Sequence, residues 1–532
     1  MAVARTRCVA LVGVTGRLVE IEADIGSGVA GLHLIGMLDT ALSEARDRVR
    51  SALVNSRYAW PDARITVSLF PASLPKRGSL FDLAIAMALL AAAGFVPAAR
   101  VAEPFFLGEL GLDGSVRPVR GVLPAVLAAV AAGARTVVVP ARNAAEAGLV
   151  PGVTVIPATT LGALVSGLRS GESPGGVLDG AEDPGHRAAR PLPPGCHGEA
   201  VPGNELEDGA AEDGPDLGDV AGQPVARRAL EVCAAGGHNL WMLGPPGTGK
   251  TMLAERLPTL LPALQWDQAL EVTAIHSVAG VLPKDRPLLV RPPFVAPHHT
   301  ATVASVIGGG SGMIRPGAVS LAHRGVLFLD EAPEFSTTVL DALRQPLESG
   351  RVTVSRALGA VTFPARFALV LAANRCPCAR PSTPKDPCAC APAARRRYLA
   401  RLSGPLLDRV DVKVSLARST RRELLADRRF IEPSRVVAER VLLARERAAK
   451  RFANTPWRCN AEMPARALHA EYRPPPAAMS PLLRYLDSGL LSARGLDRII
   501  KLAWTLADLA GKDRPEPHET NSALGLWLGE ER

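Results

Sequence analysis

The sequence has few cysteines and no hydrophobic run long enough to cross a bilayer. Eight cysteines among 532 residues are too few for a disulfide scaffold. The longest apolar run, Leu83 to Ala99, has about 17 residues and contains Gly94 and Pro97, so it falls at or below the roughly 20 residues that a membrane helix needs. The N-terminus has only a short apolar run before Arg17 and no cleavage-site context. We therefore expect a mature cytoplasmic protein without membrane contact.

Charge is unevenly distributed along the chain. The net charge is +9 and the pI is near 9.4, which favours a polyanionic partner without distinguishing nucleic acid from lipid headgroups or a ribosomal neighbour. Residues 172–213 contain ten acidic residues and two arginines, which leaves the remainder of the chain near +17. Between Arg395 and Arg451 there are 17 basic and seven acidic residues. We expect a polyanion to contact this C-terminal half.

The pattern of the chain predicts an α/β multidomain protein with two or three domains. Residues 1–168 alternate β-rich runs with alanine-rich helical runs, which indicates an N-terminal α/β domain. Residues 169–215 are rich in glycine, proline and acids, a composition that predicts a flexible linker. Residues 216–417 follow the strand, loop and helix order of a nucleotide-binding α/β fold, and residues 418–532 read as helical.

The segment GPPGTGKT matches the phosphate-binding loop G-x-x-x-x-G-K-[ST]. Glycines in such a loop let backbone N–H groups surround phosphates at a helix N-terminus. This match follows the apolar strand LWML and opens a helix, which makes an ordinary glycine-rich turn the weaker interpretation. It predicts ATP binding, with Lys250 on the β- and γ-phosphates and Thr251 on Mg²⁺. The residues of the loop are Gly244, Pro245, Pro246, Gly247, Thr248, Gly249, Lys250 and Thr251.

A second acidic motif lies about eighty residues further on. In GVLFLDEAPEF an apolar strand, Val326 to Leu329, is followed directly by Asp330 and Glu331. A buried parallel strand delivers carboxylates at its C-terminal edge. We expect Asp330 to hold the Mg²⁺ shell and Glu331 to polarise the attacking water, so that the two motifs together predict ATP hydrolysis.

Three further polar residues are candidates for the same site. Asn374 ends the strand ARFALVLAAN and is expected to orient water or contact the γ-phosphate, although a plain strand-end cap is the alternative. Arg409, in SGPLLDRVDV, fits an arginine supplied across a subunit boundary, with a solvated surface arginine as the alternative. Arg494 begins an amphipathic helix from which it would reach the phosphates, and Arg498 competes with it because spacing does not decide between them.

Together these motifs resemble an AAA+ ATPase with a C-terminal helical lid. More narrowly, PHHTATVASVIGGG (297–310), LESGRVTVSRALGAVTFPARF (347–367), NRCPC and SGPLLDRVD resemble the ComM/YifB family of magnesium-chelatase-like AAA+ proteins. The resemblance spans nearly the whole chain. The N-terminal runs RITVSLFPASLPKRGSLFDLAIAMALL and FLGELGLDGSVRPVRGVLPAVLAA are similar to the Lon-protease-like domain, of ribosomal S5-like fold, that this family carries.

The resemblance implies a homo-oligomeric ring, expected to be a hexamer, in which Arg409 completes the neighbouring site. It also implies action on single-stranded or branched DNA: ATP-driven helicase or branch-migration activity on recombination intermediates, as in natural transformation. The alternative is a chelatase-type ATPase that remodels a protein partner. A regulatory scaffold that only binds ATP is disfavoured because Glu331 and Arg409 are both present.

A Lon-like domain raises the further alternative of an ATP-dependent protease. Such an enzyme needs a serine nucleophile and a lysine base. Where its Pro-Ser-Ala-Gly would fall, residues 75–78 read Pro-Lys-Arg-Gly, and the lysine position is also altered around Pro124. Ser79 lies nearby without an obvious base and is better interpreted as a helix cap. Proteolysis is therefore the least favoured activity.

Four cysteines lie within fifteen positions between Asn374 and Arg409. Four thiolates suit a closed tetrahedral zinc site, although Cys-x-Cys spacing is less usual than Cys-x₂-Cys, and redox-active or incidental thiols are the alternative. The expected role is structural, since the surrounding loop has too little apolar content to fold alone. These residues are Cys376, Cys378, Cys388 and Cys390.

Two further segments are candidates for binding a substrate. His298 and His299 have no matching partner nearby in the sequence, so a substrate-facing loop is preferred over a metal site. Residues 350–367 predict a hairpin in which Arg351 and Arg356 flank the alternating VTVS. If DNA passes through a ring, these arginines are expected to bind its phosphates without reading sequence. An exposed basic hairpin without a partner is the alternative.

Overall fold

The range predicted to be a linker falls largely outside the residues that the structure describes. Within it, a helix continues to Ser170, and the two-residue strand Leu178–Asp179 pairs with the strand Thr154–Ala158. Composition alone did not predict this pairing. The computed structural model describes residues 3–37, 39–170, 178–179, 214–283, 285–310, 314–356, 359–378, 388, 390–420 and 431–529.

The N-terminal unit is built on a mixed eight-stranded sheet in the order β10-β9-β8-β5-β1-β2-β4-β3. Strands β1 and β2 form a long antiparallel hairpin whose turn lies at residues 13–14. Strands β6 and β7 form a separate small ladder. The strands are β1 Ala4–Val12, β2 Thr15–Gly26, β3 Gly31–Ile35, β4 Arg64–Phe70, β5 Phe105–Phe106, β6 Glu109–Leu110, β7 Val116–Arg117, β8 Thr136–Pro140, β9 Thr154–Ala158 and β10 Leu178–Asp179.

Helices cover this sheet and supply most of its core. The third helix is apolar on every side, and all eleven of its residues are buried, as expected for a helix enclosed by the domain rather than lying at its surface. The first part of the apolar run noted in the sequence, up to Ala92, is therefore a buried helix. The helices are α1 Thr40–Ser43, α2 Ala45–Asn55, α3 Asp82–Ala92, α4 Ala98–Ala102, α5 Val122–Ala131, α6 Ala144–Ala147 and α7 Leu161–Ser170.

The central unit contains a five-stranded parallel sheet in the order β12-β15-β18-β11-β19. Its middle strands are short continuous apolar runs, as is typical of parallel strands buried on both faces. Two antiparallel hairpins, β13-β14 and β16-β17, lie outside this sheet. The strands are β11 Leu240–Leu243, β12 Phe294–Val295, β13 Gly308–Gly309, β14 Arg315–Pro316, β15 Val326–Leu329, β16 Arg351–Arg356, β17 Gly359–Pro364, β18 Ala368–Ala373 and β19 Val412–Ser415.

The remaining helices flank the parallel sheet or follow it. Helix α20 begins at the cap Ser492, which accepts a hydrogen bond from the Gly495 N–H, and ends at the left-handed Gly511. The helices of the central unit are α8 Pro224–Gly236, α9 Lys250–Leu260, α10 Trp266–Ala279, α11 Val303–Ile307, α12 Ala318–Leu321, α13 Thr337–Ala342, α14 Arg344–Ser349, α15 Pro392–Leu399 and α16 Gly404–Leu407. Those that follow are α17 Ser434–Arg451, α18 Ala465–His469, α19 Pro476–Asp487, α20 Ala493–Ala510 and α21 Pro517–Leu528.

The C-terminal helices share one hydrophobic core with the parallel sheet. Residues of α17 and α20 lie in the same buried cluster as strands β11, β15, β18 and β19, so these helices are anchored directly behind the sheet.

No helix among the described residues is both long and apolar enough to cross a membrane.

A buried charged network fixes α17 against α20. Arg451 donates two hydrogen bonds to Asp508, with N···O distances of 2.7 and 2.6 Å. It also donates to the amide oxygen of Asn460, whose own NH₂ group donates to Asp508 at 2.8 Å. The Asp508 side chain is only 1% exposed. Each charge in this network is therefore paired with an opposite charge, as burial requires, and Nε is the one guanidinium nitrogen of Arg451 without a hydrogen-bond partner among the described residues.

We expect Asp508→Ala to lower the free energy of unfolding by about 3–5 kcal/mol, because it leaves the mostly buried Arg451 without its anion. Denaturant unfolding followed by circular dichroism measures this change. The matched control is Arg5→Ala, which removes an exposed ion pair with Glu22 and should leave the unfolding midpoint unchanged. Equal midpoints for Asp508→Ala and the wild type would contradict the prediction.

Candidate active site

The loop between β11 and α9 forms an open cradle at the N-terminus of a helix. Gly247 and Gly249 have φ values of +77° and +83°, and a Cβ atom built at either position meets nothing within 4 Å. These left-handed residues bend the backbone around free space in front of α9, which begins at Lys250. Backbone N–H groups and the helix dipole favour an anion in such a cradle. The geometry thus fits the phosphates of a nucleotide.

The ammonium group of Lys250 lies inside this cradle and contacts neutral oxygens. It donates to the carbonyl oxygens of Gly244 and Pro245, at 2.9 and 3.0 Å, and to the amide oxygen of Asn374 at 3.1 Å. Burial lowers the pKa of Lys250, while the negative charges of Asp330 and Glu331 oppose that shift. A buried cation without a carboxylate in its hydrogen-bond shell suits an anionic ligand.

Thr251 and Asp330 face each other at the edge of the sheet. The Thr251 hydroxyl donates to Asp330 Oδ2 at 2.8 Å, and the backbone N–H of Glu331 donates to Asp330 Oδ1 at 2.8 Å. Hydroxyl and carboxylate oxygens placed side by side are the ligands that Mg²⁺ prefers. The donor set therefore fits a magnesium ion beside the phosphate cradle.

Glu331 has an unusual backbone conformation and a partner that the sequence did not indicate. Its φ is +49°, a left-handed conformation that is costly for a residue other than glycine and that is enriched at functional sites. Its carboxylate lies 3.3 Å from Nδ1 of His299. The sequence showed no metal-ligand partner near His298 and His299, and the partner of His299 in the fold is a carboxylate 32 residues further along the chain. The signal was available in principle, because β12 and β15 are parallel neighbours and both loops leave the same edge.

The neighbouring histidine connects this contact to the following segment. The rings of His298 and His299 are 4.1 Å apart between centroids, and His298 Nδ1 lies 2.8 Å from the Thr300 hydroxyl. Thr302 then caps helix α11, which leads into the hairpin β13-β14. The segment predicted to face a substrate therefore contacts Glu331 at one end.

Asn374 completes the group at the sheet edge. It follows β18, which lies between β15 and β11, and its side chain is buried beside Lys250. Five residues predicted from separate motifs thus converge on one edge of the parallel sheet. They are Lys250, Thr251, Asp330, Glu331 and Asn374.

The predicted arginines lie elsewhere within the chain. Arg409 forms an ion pair with Glu348 at 3.0 Å and donates to the Pro405 carbonyl at 2.6 Å, so it is not part of the cluster around Lys250. Arg498 pairs with Asp411. Burial is the largest single influence on the pKa of Asp411 and raises it, but the hydrogen bonds and charges of His238 and Arg498 together outweigh burial and hold this pKa well below its usual range. Arg494 is exposed and forms no ion pair with other described residues. Of the two candidates on α20, Arg494 is the one left available.

The described cysteine sulfurs converge on one point. All four Sγ atoms lie within 4.8 Å of one another, with separations of 3.1 Å for Cys376 to Cys378 and 3.4 Å for Cys388 to either of these. None of these four described cysteines forms a disulfide bond. Four soft sulfur ligands gathered around one point are the donor set of a tetrahedral zinc site.

The hairpin β16-β17 presents basic and hydroxyl groups on an exposed face. Arg351, Thr353 and Ser355 are exposed, while the intervening Val352 and Val354 are buried. Arg356 extends toward β13, where a Cβ built at Gly309 would lie 3.1 Å from its guanidinium. Neither Arg351 nor Arg356 has an acidic partner among the residues described here. Their positive charge is therefore available to a polyanion.

The N-terminal unit does not assemble a serine-lysine pair around Ser79. The Ser79 hydroxyl donates to the carboxylate of Glu109. Lys76 is buried and its ammonium group donates to the Pro71 carbonyl. Burial also lowers the pKa of Lys76. Ser79 thus has a carboxylate partner instead of an amine base.

Three family descriptions match successive parts of the chain. Magnesium chelatase, subunit ChlI, matches residues 216–424, its C-terminal part matches residues 431–526, and Subunit ChlI of Mg-chelatase matches residues 21–143. These matches cover the phosphate cradle, the acidic strand end, the cysteines and the C-terminal helices.

Curated relatives align along almost the entire length. An uncharacterized protein of Mycobacterium tuberculosis is 52% identical over 99% of this chain and 99% of its own length. Uncharacterized protein YifB of Escherichia coli is 39% identical over 96% and 94% of the two chains. Competence protein ComM of Haemophilus influenzae is 39% identical over 97% and 96%. With this extent of identity, the chain belongs to the ComM/YifB family of magnesium-chelatase-like AAA+ proteins.

Proposed function

We propose that this protein is an ATP-hydrolysing AAA+ ring motor that acts on DNA. The observation that carries the proposal is the convergence of Lys250, Thr251, Asp330, Glu331 and Asn374 at one edge of the parallel sheet. Phosphoryl transfer to water needs a cation, oxygens that bind a metal ion, a general base and a polar amide.

Each residue has a role that follows from its position. Lys250 binds the β- and γ-phosphates, and Thr251 and Asp330 hold Mg²⁺. Bound Mg²⁺ supplies positive charge that neutralises the phosphate oxygens during transfer. Glu331 accepts the proton of the attacking water, and Asn374 orients that water or contacts the γ-phosphate.

A ring accounts for the distance of Arg409 from the cluster within one chain. In a homo-oligomer, proposed to be a hexamer, Arg409 exchanges its contact with Glu348 for the nucleotide of the neighbouring subunit. Arg494, free at the start of α20, provides a second cation from the helical lid. Such arginines stabilise charge in the transition state.

DNA is the proposed substrate because of the exposed basic hairpin. Arg351 and Arg356 lie on β16 without acidic partners in the part of the chain that the structure describes, and they suit phosphate contacts that are independent of sequence. The relative from Haemophilus influenzae is named a competence protein. We propose helicase or branch-migration activity on single-stranded or branched DNA during recombination, in the cytoplasm.

A second function is favoured by the family match itself. The descriptions that match this chain name a magnesium chelatase subunit. A chelatase-type ATPase would remodel a protein partner and would turn over ATP without regard to DNA. A DNA titration of the ATPase rate therefore distinguishes the two candidates.

We expect purified protein to hydrolyse ATP and to be stimulated by single-stranded or branched DNA, with stimulation falling as salt rises. Phosphate release measures the rate. Lys250→Ala and Glu331→Gln should each reduce kcat by about 10²-fold or more. Arg351→Ala combined with Arg356→Ala should retain basal turnover and lose stimulation.

Two outcomes would contradict this proposal in different ways. Full turnover by Glu331→Gln would exclude this residue as the base. Turnover that is indifferent to every DNA form, in wild-type protein that hydrolyses ATP, would favour the protein-remodelling function.

Zinc is expected at the cysteine cluster. We predict one zinc per chain by elemental analysis of purified protein, with large losses in Cys376→Ser and Cys388→Ser because a closed site needs all of its ligands. Cys233→Ser, which changes a buried cysteine in α8, is the control and should retain zinc. Metal-free wild-type protein with four reactive thiols would refute the site.

His299→Ala should lower kcat by about ten-fold with little change in KM, because His299 orients Glu331 without touching nucleotide. This loss is smaller than the roughly 10²–10⁴-fold loss expected when a general base is removed. Steady-state ATPase kinetics measure both constants. His298→Ala is the matched control, since His298 contacts Thr300 instead of Glu331. Identical kinetics for the two variants would exclude a specific role for His299.

A further inference from the structure

The N-terminal unit contacts the hairpin β16-β17 directly through the turn between β1 and β2. Val12 and Val14 pack against the buried cluster that contains Val361 and Phe363 of β17. Between them lies Gly13, with a φ of +66°, where an added Cβ would come within 2.6 Å of Val361 Cγ1. The turn is thus fitted closely against the inner face of the hairpin.

A second contact is made through helix α10, which buries one face in the N-terminal core. Ala274 belongs to that core, and Trp266 and Leu270 pack against it. At the end of α10, Arg120 lies against Gly280, where a built Cβ would be 2.4 Å from its Nε. Helix α10 therefore packs with the N-terminal unit, although its sequence lies in the central part of the chain.

Buried hydrogen bonds fix this contact. The Gly121 N–H donates to the Ser277 hydroxyl at 3.0 Å, and that hydroxyl donates to the carboxylate of Glu146. Glu146 also accepts from the Leu123 N–H at 2.9 Å and from the Asn143 amide at 3.2 Å. Burial raises the pKa of Glu146. A buried polar cluster that is fully hydrogen-bonded specifies one docking geometry.

Another side of α10 reaches the base of the same hairpin. Glu271 lies 3.0 Å from Nε2 of His323 and 3.4 Å from Arg324. The backbone N–H of Arg366 donates to His323 Nδ1 at 3.0 Å, so His323 is neutral and its Nε2–H faces Glu271. Ala365, next to Arg366, donates to the Gly350 carbonyl at 2.9 Å. Residues 350 and 365–366 close the hairpin.

From these two contacts we propose that the N-terminal unit supports the basic hairpin β16-β17. It holds the inner face and the base of the hairpin in the position from which DNA contact stimulates ATP hydrolysis. The effect on ATPase rests on the proposed function, whereas the support of the hairpin does not. The support acts on residues 351–364 and leaves the residues around Lys250 untouched.

The experiment measures hairpin protection and ATPase activity in full-length variants. Val14→Asp places a carboxylate against the buried cluster that contains Val361 and Phe363, and Val29→Asp makes the same change at a residue that is 89% exposed. We expect amide hydrogen exchange in residues 351–364 to accelerate by about ten-fold or more in Val14→Asp, because local opening becomes easier. Basal kcat should stay within about two-fold while DNA stimulation falls close to one. Val29→Asp should behave as wild type.

The second contact is tested separately with Glu146→Gln and the exposed control Glu103→Gln. Glu146→Gln should accelerate exchange in residues 351–364 in the same direction as Val14→Asp, and Glu103→Gln should not. Because Gln keeps the volume of Glu, this pair also serves if Val14→Asp fails to fold. Circular dichroism and size-exclusion chromatography establish folding for each variant.

The outcomes separate the two proposals. Wild-type exchange in residues 351–364 in folded Val14→Asp and Glu146→Gln would overturn the support by the N-terminal unit. Faster exchange in both, in a protein whose wild-type ATPase ignores DNA, would confirm the support and overturn DNA as the substrate. Faster exchange with full DNA stimulation would overturn the link between hairpin position and ATP hydrolysis.

Discussion

Three neighbouring strands of the central sheet, β15, β18 and β11, run parallel, so the chain leaves each of them at the same edge. Parallel pairing in the observed register aligns Leu329 with Leu371, and Leu243 with Ala373. The residues that follow are then brought side by side: the acidic pair, Asn374 and the phosphate cradle. Crevices outside the carboxyl ends of parallel strands are where such sheets bind ligands. Everything proposed for ATP chemistry depends on this alignment, because the cluster exists only while the three strands remain adjacent.

Lys250, Asp330 and Glu331 place charges at the same edge, and other groups of the chain balance these charges only in part. Among the described residues, Lys250 has only neutral oxygens within hydrogen-bond distance, and Asp330 and Glu331 influence its pKa from further away. Anionic phosphates bound together with a divalent cation would neutralise both kinds of charge, because the phosphates pair with the ammonium group and the cation binds the carboxylate. The left-handed Glu331 and its contact with His299 add a polar connection toward α11 and the hairpin β13-β14. This route runs from Glu331 through His299 to α11 and ends at β13, beside Arg356.

Local motifs predicted the central site because each lies in a short run of sequence. The GPPGTGKT loop, the apolar strand ending in Asp330 and Glu331, and the hairpin around Arg351 all occur where the sequence pattern indicated. Contacts between distant segments were not predictable in this way. Glu348 with Arg409 and Glu146 with Ser277 are separated by 61 and 131 residues, and no periodicity connects them. The strand order of the N-terminal sheet, and the pairing of Leu178–Asp179 with β9, depend on tertiary packing in the same manner.

Helix α10 shows why the chain functions as more than a series of adjacent domains. Sequence assigns it to the nucleotide-binding region, yet Ala274 lies in the N-terminal core and Ser277 completes a polar cluster there. Its other face contacts His323 and Arg324, which directly precede Gly325 and strand β15. A displacement of the N-terminal unit would therefore act on α10, and through His323 and Arg366 on the hairpin base. Since packed interfaces shift between discrete arrangements, we expect the N-terminal unit to be coupled mechanically to the parallel sheet. This holds even though, among the described residues, Ser79 has no lysine partner of the kind that a Lon-type protease requires.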